Sequence, residues 1–150
     1  MNQADRQTSA AHIGDNLELV RCVRDARGAL CVVQANHIKY PMEIKRVFWI
    51  CDVPKGAVRG EHANRNCTEL LIAVNGSVRL WLTDGKTECE VKLDSPSVGI
   101  YIPPMVWCRL YDFSADCVCL CLADQDYDES QYINQYEDFL RETANASHSL

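Results

Sequence analysis

Nowhere in this sequence do about 18 apolar residues follow one another, the length a helix needs to span a bilayer, so no membrane partner is expected. An excess of positive charge is missing too. Lys and Arg number 15 against 21 Asp and Glu, a formal net charge of -6, and a general nucleic-acid binder would carry a basic footprint instead. An anionic ligand must then be held by a few local arginines. Although there are nine cysteines, no two are spaced as CxxC, which removes the usual frame of a structural zinc site. No secretory apolar region follows the N-terminus, so a reducing, cytoplasmic setting is expected, with free thiols packed as small hydrophobes. Cys117, Cys119 and Cys121 alternate and are expected to share one strand face. Internal repeats and low-complexity tracts are also absent. What remains is one domain, 150 residues with 47% apolar content, able to bury roughly 70% of its unfolded surface with no metal or disulfide staple.

What is present is a series of short apolar segments broken by turn residues. Leu17 to Arg24, Ala29 to Gln34, Ile44 to Cys51 and Thr68 to Val74 read as strands. So do Ser77 to Leu82, Thr87 to Leu93, Ser97 to Ile102, Val106 to Tyr111 and Cys117 to Ala123. Asp25-Ala26-Arg27-Gly28 and Pro54-Lys55-Gly56 are turn signals, while Asn75-Gly76 and Asp84-Gly85 are hairpin signals. The pattern predicts an all-β sandwich or barrel. Residues 1–15 are polar and non-periodic and are expected to be weakly ordered. The single domain covers 16–142. Within it, 129–142 (ESQYINQYEDFLRE) has helical apolar spacing with Asp128 as N-cap, and predicts one helix packed outside the barrel. Residues 143–150 are expected to fray.

The chain is organised around Gly56 to Gly76, GAVRGEHANRNCTELLIAVNG. His62 and Asn64 are two apart, so on a strand they share a face. The frame is similar to the first cupin motif with Asn64 at its second histidine. Arg59-Gly60-Glu61-His62-Ala63-Asn64-Arg65 resembles more closely the segment of the small dTDP-4-keto-6-deoxyglucose 3,4-ketoisomerases (WxcM-like, FdtA-like). Further segments fit that family in order. They include Ile44-Lys45-Arg46-Val47, Leu93-Asp94-Ser95-Pro96, Gly99 to Pro104, Val106-Trp107 and Tyr127-Asp128-Glu129 with Tyr132-Ile133.

The resemblance implies a small cupin, a jelly-roll β-barrel (double-stranded β-helix) with one C-terminal helix. It implies a cofactor-free and metal-free isomerase that moves a keto group from C4 to C3 of a thymidine-diphosphate-linked 4-keto-6-deoxyhexose, for deoxyamino-sugar biosynthesis. It also implies a homodimer with exchanged N-terminal strands. Such chemistry removes a proton α to a carbonyl and returns it at the neighbouring carbon, work suited to a histidine. An oxyanion donor must stand close by, and the diphosphate asks for arginine.

The candidate catalytic residues are His62 and Asn64. The candidate substrate-binding residues are Arg27, Arg46, Arg59, Arg65, Tyr101, Trp107 and Cys108. His12, His37 and His148 are assigned no role. The chain departs from the family at Asn64, which cannot shuttle protons, at Phe48-Trp49, where a tyrosine is usual, and at Cys108, where a polar residue is usual. These departures keep a second reading open, a cupin that binds a nucleotide sugar, or partners an active homologue, without turning it over. A related sugar-nucleotide epimerase is a further alternative, as is a metal site of His62, Glu69 and Cys108.

Overall fold

The computed structural model describes residues 15–147. Its strands are β1 (Leu17–Leu19), β2 (Arg21–Asp25), β3 (Gly28–Val32), β4 (Arg46–Ile50), β5 (Arg59–Asn64) and β6 (Glu69–Asn75). They continue as β7 (Val78–Thr83), β8 (Glu88–Leu93), β9 (Val98–Ile102), β10 (Trp107–Tyr111), β11 (Val118–Ala123) and β12 (Tyr132–Ile133), before one helix, α1 (Tyr136–Ser147). Two five-stranded sheets run in the orders β1-β9-β6-β11-β4 and β12-β5-β10-β7-β8, and β2 and β3 form a separate ribbon. All pairings are antiparallel.

Strand parity builds the barrel. In the first sheet Leu71, Ala73, Ile100, Cys119 and Cys121 point inward; in the second, Val78, Leu80, Leu82, Cys108 and Leu110 do, and the two sets share one core. Cys117 joins Cys119 and Cys121 there, as their alternation predicts. The alternate residues Leu70, Ile72 and Tyr101 face the other way, into a second core closed by Val20 and Ile38. On the outer face of the second sheet, Phe139 of α1 seals Ala63, Trp107 and Ile133.

Two local expectations need correction. The segment Leu17 to Arg24 is two strands, because the buried Val20 donates its N–H to the Ser97 carbonyl and turns the chain from β9 toward β3. Asn75-Gly76 does not close a hairpin. β6 and β7 belong to different sheets, and Gly76, at φ 66°, turns the corner between them against Ser114 and Cys117. Asp84-Gly85 does close a hairpin, β7 to β8, with Gly85 at φ 91°.

The C-terminal reading also shifts. Asp128 caps only a 3-10 turn, Glu129–Gln131, by accepting from the Ser130 N–H. Tyr132 and Ile133 then pair with β5 as a strand, and the helix begins at Tyr136. Residues 143–147, expected to fray, belong to α1. Helical spacing at Tyr132, Ile133 and Tyr136 was compatible with both states, and an open edge of β5 selected the strand.

Free thiols do not describe every cysteine. Cys22 and Cys31 face each other across the β2–β3 ribbon and are disulfide-bonded, while the other seven are free. An isolated ribbon is marginal in water, and this cross-link holds one that carries little core of its own.

Candidate functional site

Between the two sheets lies a cavity of about 430 Å³. Its shape depends on a bulge in β5. Cys108 pairs with His62 and Arg109 with Gly60, so Glu61 is the extra residue. Gly60 and Glu61 both take positive φ, 80° and 57°. A Cβ at Gly60 would stand 2.8 Å from the Cys108 carbonyl oxygen, so only glycine fits this bend. The bulge resets parity. Arg59, opposite Leu110, and His62, opposite Cys108, both turn toward the cavity although three residues apart.

His62 stands half-buried in the wall, its ring edge-on to Tyr132 with centroids 4.9 Å apart. Burial is the largest influence on it and pushes its pKa below the usual 6.5. The Arg46 charge pushes the same way, and a hydrogen bond to the Gly60 backbone opposes both. The neutral imidazole is therefore the resting form at neutral pH, as a proton acceptor requires.

Arg46 occupies the opposite wall, on β4. Its two terminal nitrogens each donate to the Tyr132 hydroxyl at 3.3 Å. The guanidinium lies 5.1 Å from the Phe48 ring centre and 5.6 Å from that of Tyr127. Glu69 is 4.0 Å away, a loose ion pair. The buried Arg46 Nε has no hydrogen-bond partner among the described residues. A buried N–H left unpaired is costly.

Asn64 is almost fully buried and donates from Nδ2 to Glu69 Oε1 at 3.3 Å. Burial pushes the Glu69 carboxyl above its usual 4.5, while Arg46 and then Asn64 hold it down. Cys108 lines the cavity as a fully buried thiol, held well above its usual pKa by burial first and then by Glu69. Among the described residues no group of three or more His, Cys, Asp or Glu side chains is arranged to hold a metal ion.

The remaining candidates fall elsewhere. Tyr101 is on the outward parity of β9 in the second core, where its hydroxyl donates to Glu18 at 2.8 Å. Trp107 is on the outward parity of β10, edge-on to Tyr136 and tilted against Phe139 beneath α1. Each is one residue from an inward position, so its aromatic ring goes to core packing. Arg65 reaches α1 and pairs with Glu142 at 2.6 Å. Arg27 sits exposed at the tip of the ribbon, clamped to Asp25. Arg59 keeps its guanidinium exposed at the cavity mouth, with no ion pair among the described residues. His37 is in a loop beside Gln34, and His12 and His148 lie outside the described residues.

Sequence reasoning missed Tyr132 and Tyr127 as cavity residues and treated Glu69 only as a possible metal ligand. An aromatic-aliphatic pair, Tyr132-Ile133, just after the Asp128-Ser130 turn was the available signal for an edge strand.

Residues 15–144 match the family described as FdtA: WxcM-like, C-terminal. A TDP-4-oxo-6-deoxy-alpha-D-glucose-3,4-oxoisomerase of Aneurinibacillus thermoaerophilus is 44% identical over 115 residues, covering 77% of this chain and 82% of that protein. A sugar 3,4-ketoisomerase from Thermoanaerobacterium thermosaccharolyticum, solved in complex with TDP, superimposes with a TM-score of 0.83 at 36% identity, covering 87% of this chain and 94% of its own. A TDP-fucose-3,4-ketoisomerase from Campylobacter jejuni does so with a TM-score of 0.79 at 36% identity, covering 86% and 95%.

Proposed function

The chain belongs to the FdtA family, WxcM-like C-terminal, and from that premise we propose that it is a sugar-nucleotide 3,4-ketoisomerase acting on a TDP-linked 4-keto-6-deoxyhexose. The observation that carries the reading is His62, held neutral by burial in a cavity whose opposite wall carries the Arg46 guanidinium. His62 takes the proton from C3, the electrons pass through an enediolate, and the same ring returns a proton at C4. Arg46 stabilises the developing oxyanion. Arg59 at the mouth is the candidate for the diphosphate, since its fork is uncommitted. Asn64 holds Glu69 rather than moving protons.

The homodimer with exchanged N-terminal strands is part of the same proposal. Leu19 on β1 is 83% exposed and Leu30 on the ribbon 67%, apolar surface that a partner copy would cover. In such an exchange Arg27, which does not line the cavity of its own chain, would reach a neighbour. Cytoplasmic residence is also proposed. The seven free thiols support it, the Cys22–Cys31 bridge counts against it, and no helix among the described residues is long and apolar enough to cross a membrane.

A binding protein without turnover is the second reading. Asn64 favours it, since that side chain is engaged with Glu69 and carries no titratable proton. An NMR time course with TDP-4-keto-6-deoxyglucose in deuterated water separates the two. Exchange at C3 with appearance of a 3-keto sugar is expected. Broadened nucleotide resonances without exchange would replace the isomerase by the binder.

A further inference from the structure

An enediolate needs two proton movements at oxygen as well as two at carbon. The base accounts for carbon. At oxygen, one proton must reach the old carbonyl and one must leave the neighbouring hydroxyl. A phenol at the cavity wall is placed for that work.

Both acceptor positions of the Tyr132 hydroxyl are taken by Arg46, through two donated bonds of 3.3 Å. A phenol oxygen accepts about two hydrogen bonds and donates one. The hydroxyl proton has no acceptor among the described residues, although Tyr132 is only part-exposed and lines the cavity. The ring packs edge-on against His62 with centroids 4.9 Å apart, so base and donor line the same stretch of the cavity wall. Tyr127, the other cavity phenol, is 65% exposed and packs at a tilt against Tyr132. Phe48, on the same wall, has no hydroxyl to offer.

We propose that Tyr132 is a catalytic acid-base residue of this isomerase, donating its hydroxyl proton to the C4 carbonyl oxygen and recovering one from the C3 hydroxyl. The inference rests on the isomerase reading above. The balance closes. His62 removes the C3 proton and the C–H pair becomes the C3–C4 double bond. The carbonyl pair moves to the C4 oxygen, which takes the Tyr132 proton. The C3 hydroxyl then yields its proton to the Tyr132 phenolate, its O–H pair forms the new carbonyl, and the His62 imidazolium protonates C4. Arg46 is the counter-ion for the transient phenolate. Burial is the largest influence and holds the phenol's pKa above its usual value, while hydrogen bonding and charge from Arg46 oppose it.

The test is Tyr132→Phe, which keeps the ring against His62 and Tyr127 and removes only the hydroxyl. A fall in kcat of about 10²-fold or more is expected, with KM little changed. Exchange of the C3 proton in deuterated water should fall with it. A variant that isomerises or exchanges at the native rate overturns the proposal. A second variant separates chemistry from packing. Fluorotyrosine at 132 makes the phenol more acidic and should bring an alkaline limb of the pH–rate profile to lower pH. The groups around that phenol are Arg46, His62, Glu69, Cys67 and Tyr127, with Arg65 at its backbone, and none of them is changed by the fluorine. An unmoved limb overturns the role. Native protein that turns over no keto sugar overturns the isomerase reading itself, and this role with it, before either variant is made.

Discussion

At the scale of single residues, His62 and Glu69 have opposite pH signatures. His62 works as a base only when neutral, and burial lowers its pKa from 6.5. Activity is therefore expected to hold through neutral pH and fall in acid along a limb below that value. A profile of kcat/KM against pH checks it, and His62→Asn should remove both the limb and the activity. Glu69 is shifted upward from 4.5. A carboxyl raised in the folded state costs nothing below its unfolded pKa, and its cost appears as pH rises through the folded value. Asn64 relieves part of that cost with its hydrogen bond. Asn64→Leu should lower stability by about 1–3 kcal/mol at neutral pH, leaving a buried carboxylate short of a donor, and by less in acid. Thermal melts of both proteins across pH will show it; a loss equal at every pH would mean that Asn64 only fills space.

At the scale of elements, the site is made by the β5 bulge and by the short β12 at its edge. Gly60→Ala puts a Cβ against the Cys108 carbonyl at 2.8 Å in a backbone with φ 80°. A loss of about 1–3 kcal/mol is expected, together with a fall in kcat, because His62 takes its inward aim from that bend. Native turnover in a folded Gly60→Ala protein would show that the bulge does not set the base. Much of the fold could be read from the sequence at this scale. Alternating apolar strands follow from period-two patterning, and the Asp84-Gly85 hairpin from its turn residues. What could not be read was which parity faces the cavity. Tyr101 and Trp107 are each one residue from an inward neighbour, and only the pairings Tyr101↔Leu70 and Trp107↔Thr83 fix their direction. Tyr132 was hidden for a related reason, since its pairing with Asn64 spans most of the second half of the chain. The Cys22–Cys31 bond likewise depends on ribbon register, which spacing alone leaves open.

At the scale of the whole molecule, the apolar surface is unevenly shared. The barrel interior and the layer under α1 are closed, whereas Leu19, Val23 and Leu30 are exposed on β1 to β3. Hydrophobic side chains scattered singly need no explanation, but Val23 and Leu30 pair across the ribbon that the disulfide keeps in register, and Leu19 ends the strand just before it. Exchange between two copies would cover them and let each ribbon complete its neighbour. The native protein should therefore sediment as a dimer at micromolar concentration. Leu19→Asp combined with Leu30→Asp should shift it toward monomer while the barrel, to whose core neither residue contributes, keeps its β-sheet circular dichroism. Turnover separates two forms of the dimer. If Arg27 serves a neighbour's cavity, the monomeric variant loses affinity for the TDP-sugar, and Arg27→Ala in the dimer reproduces that loss. If affinity survives dissociation, each cavity is complete within its own chain, and the exposed ribbon is a matter of assembly alone.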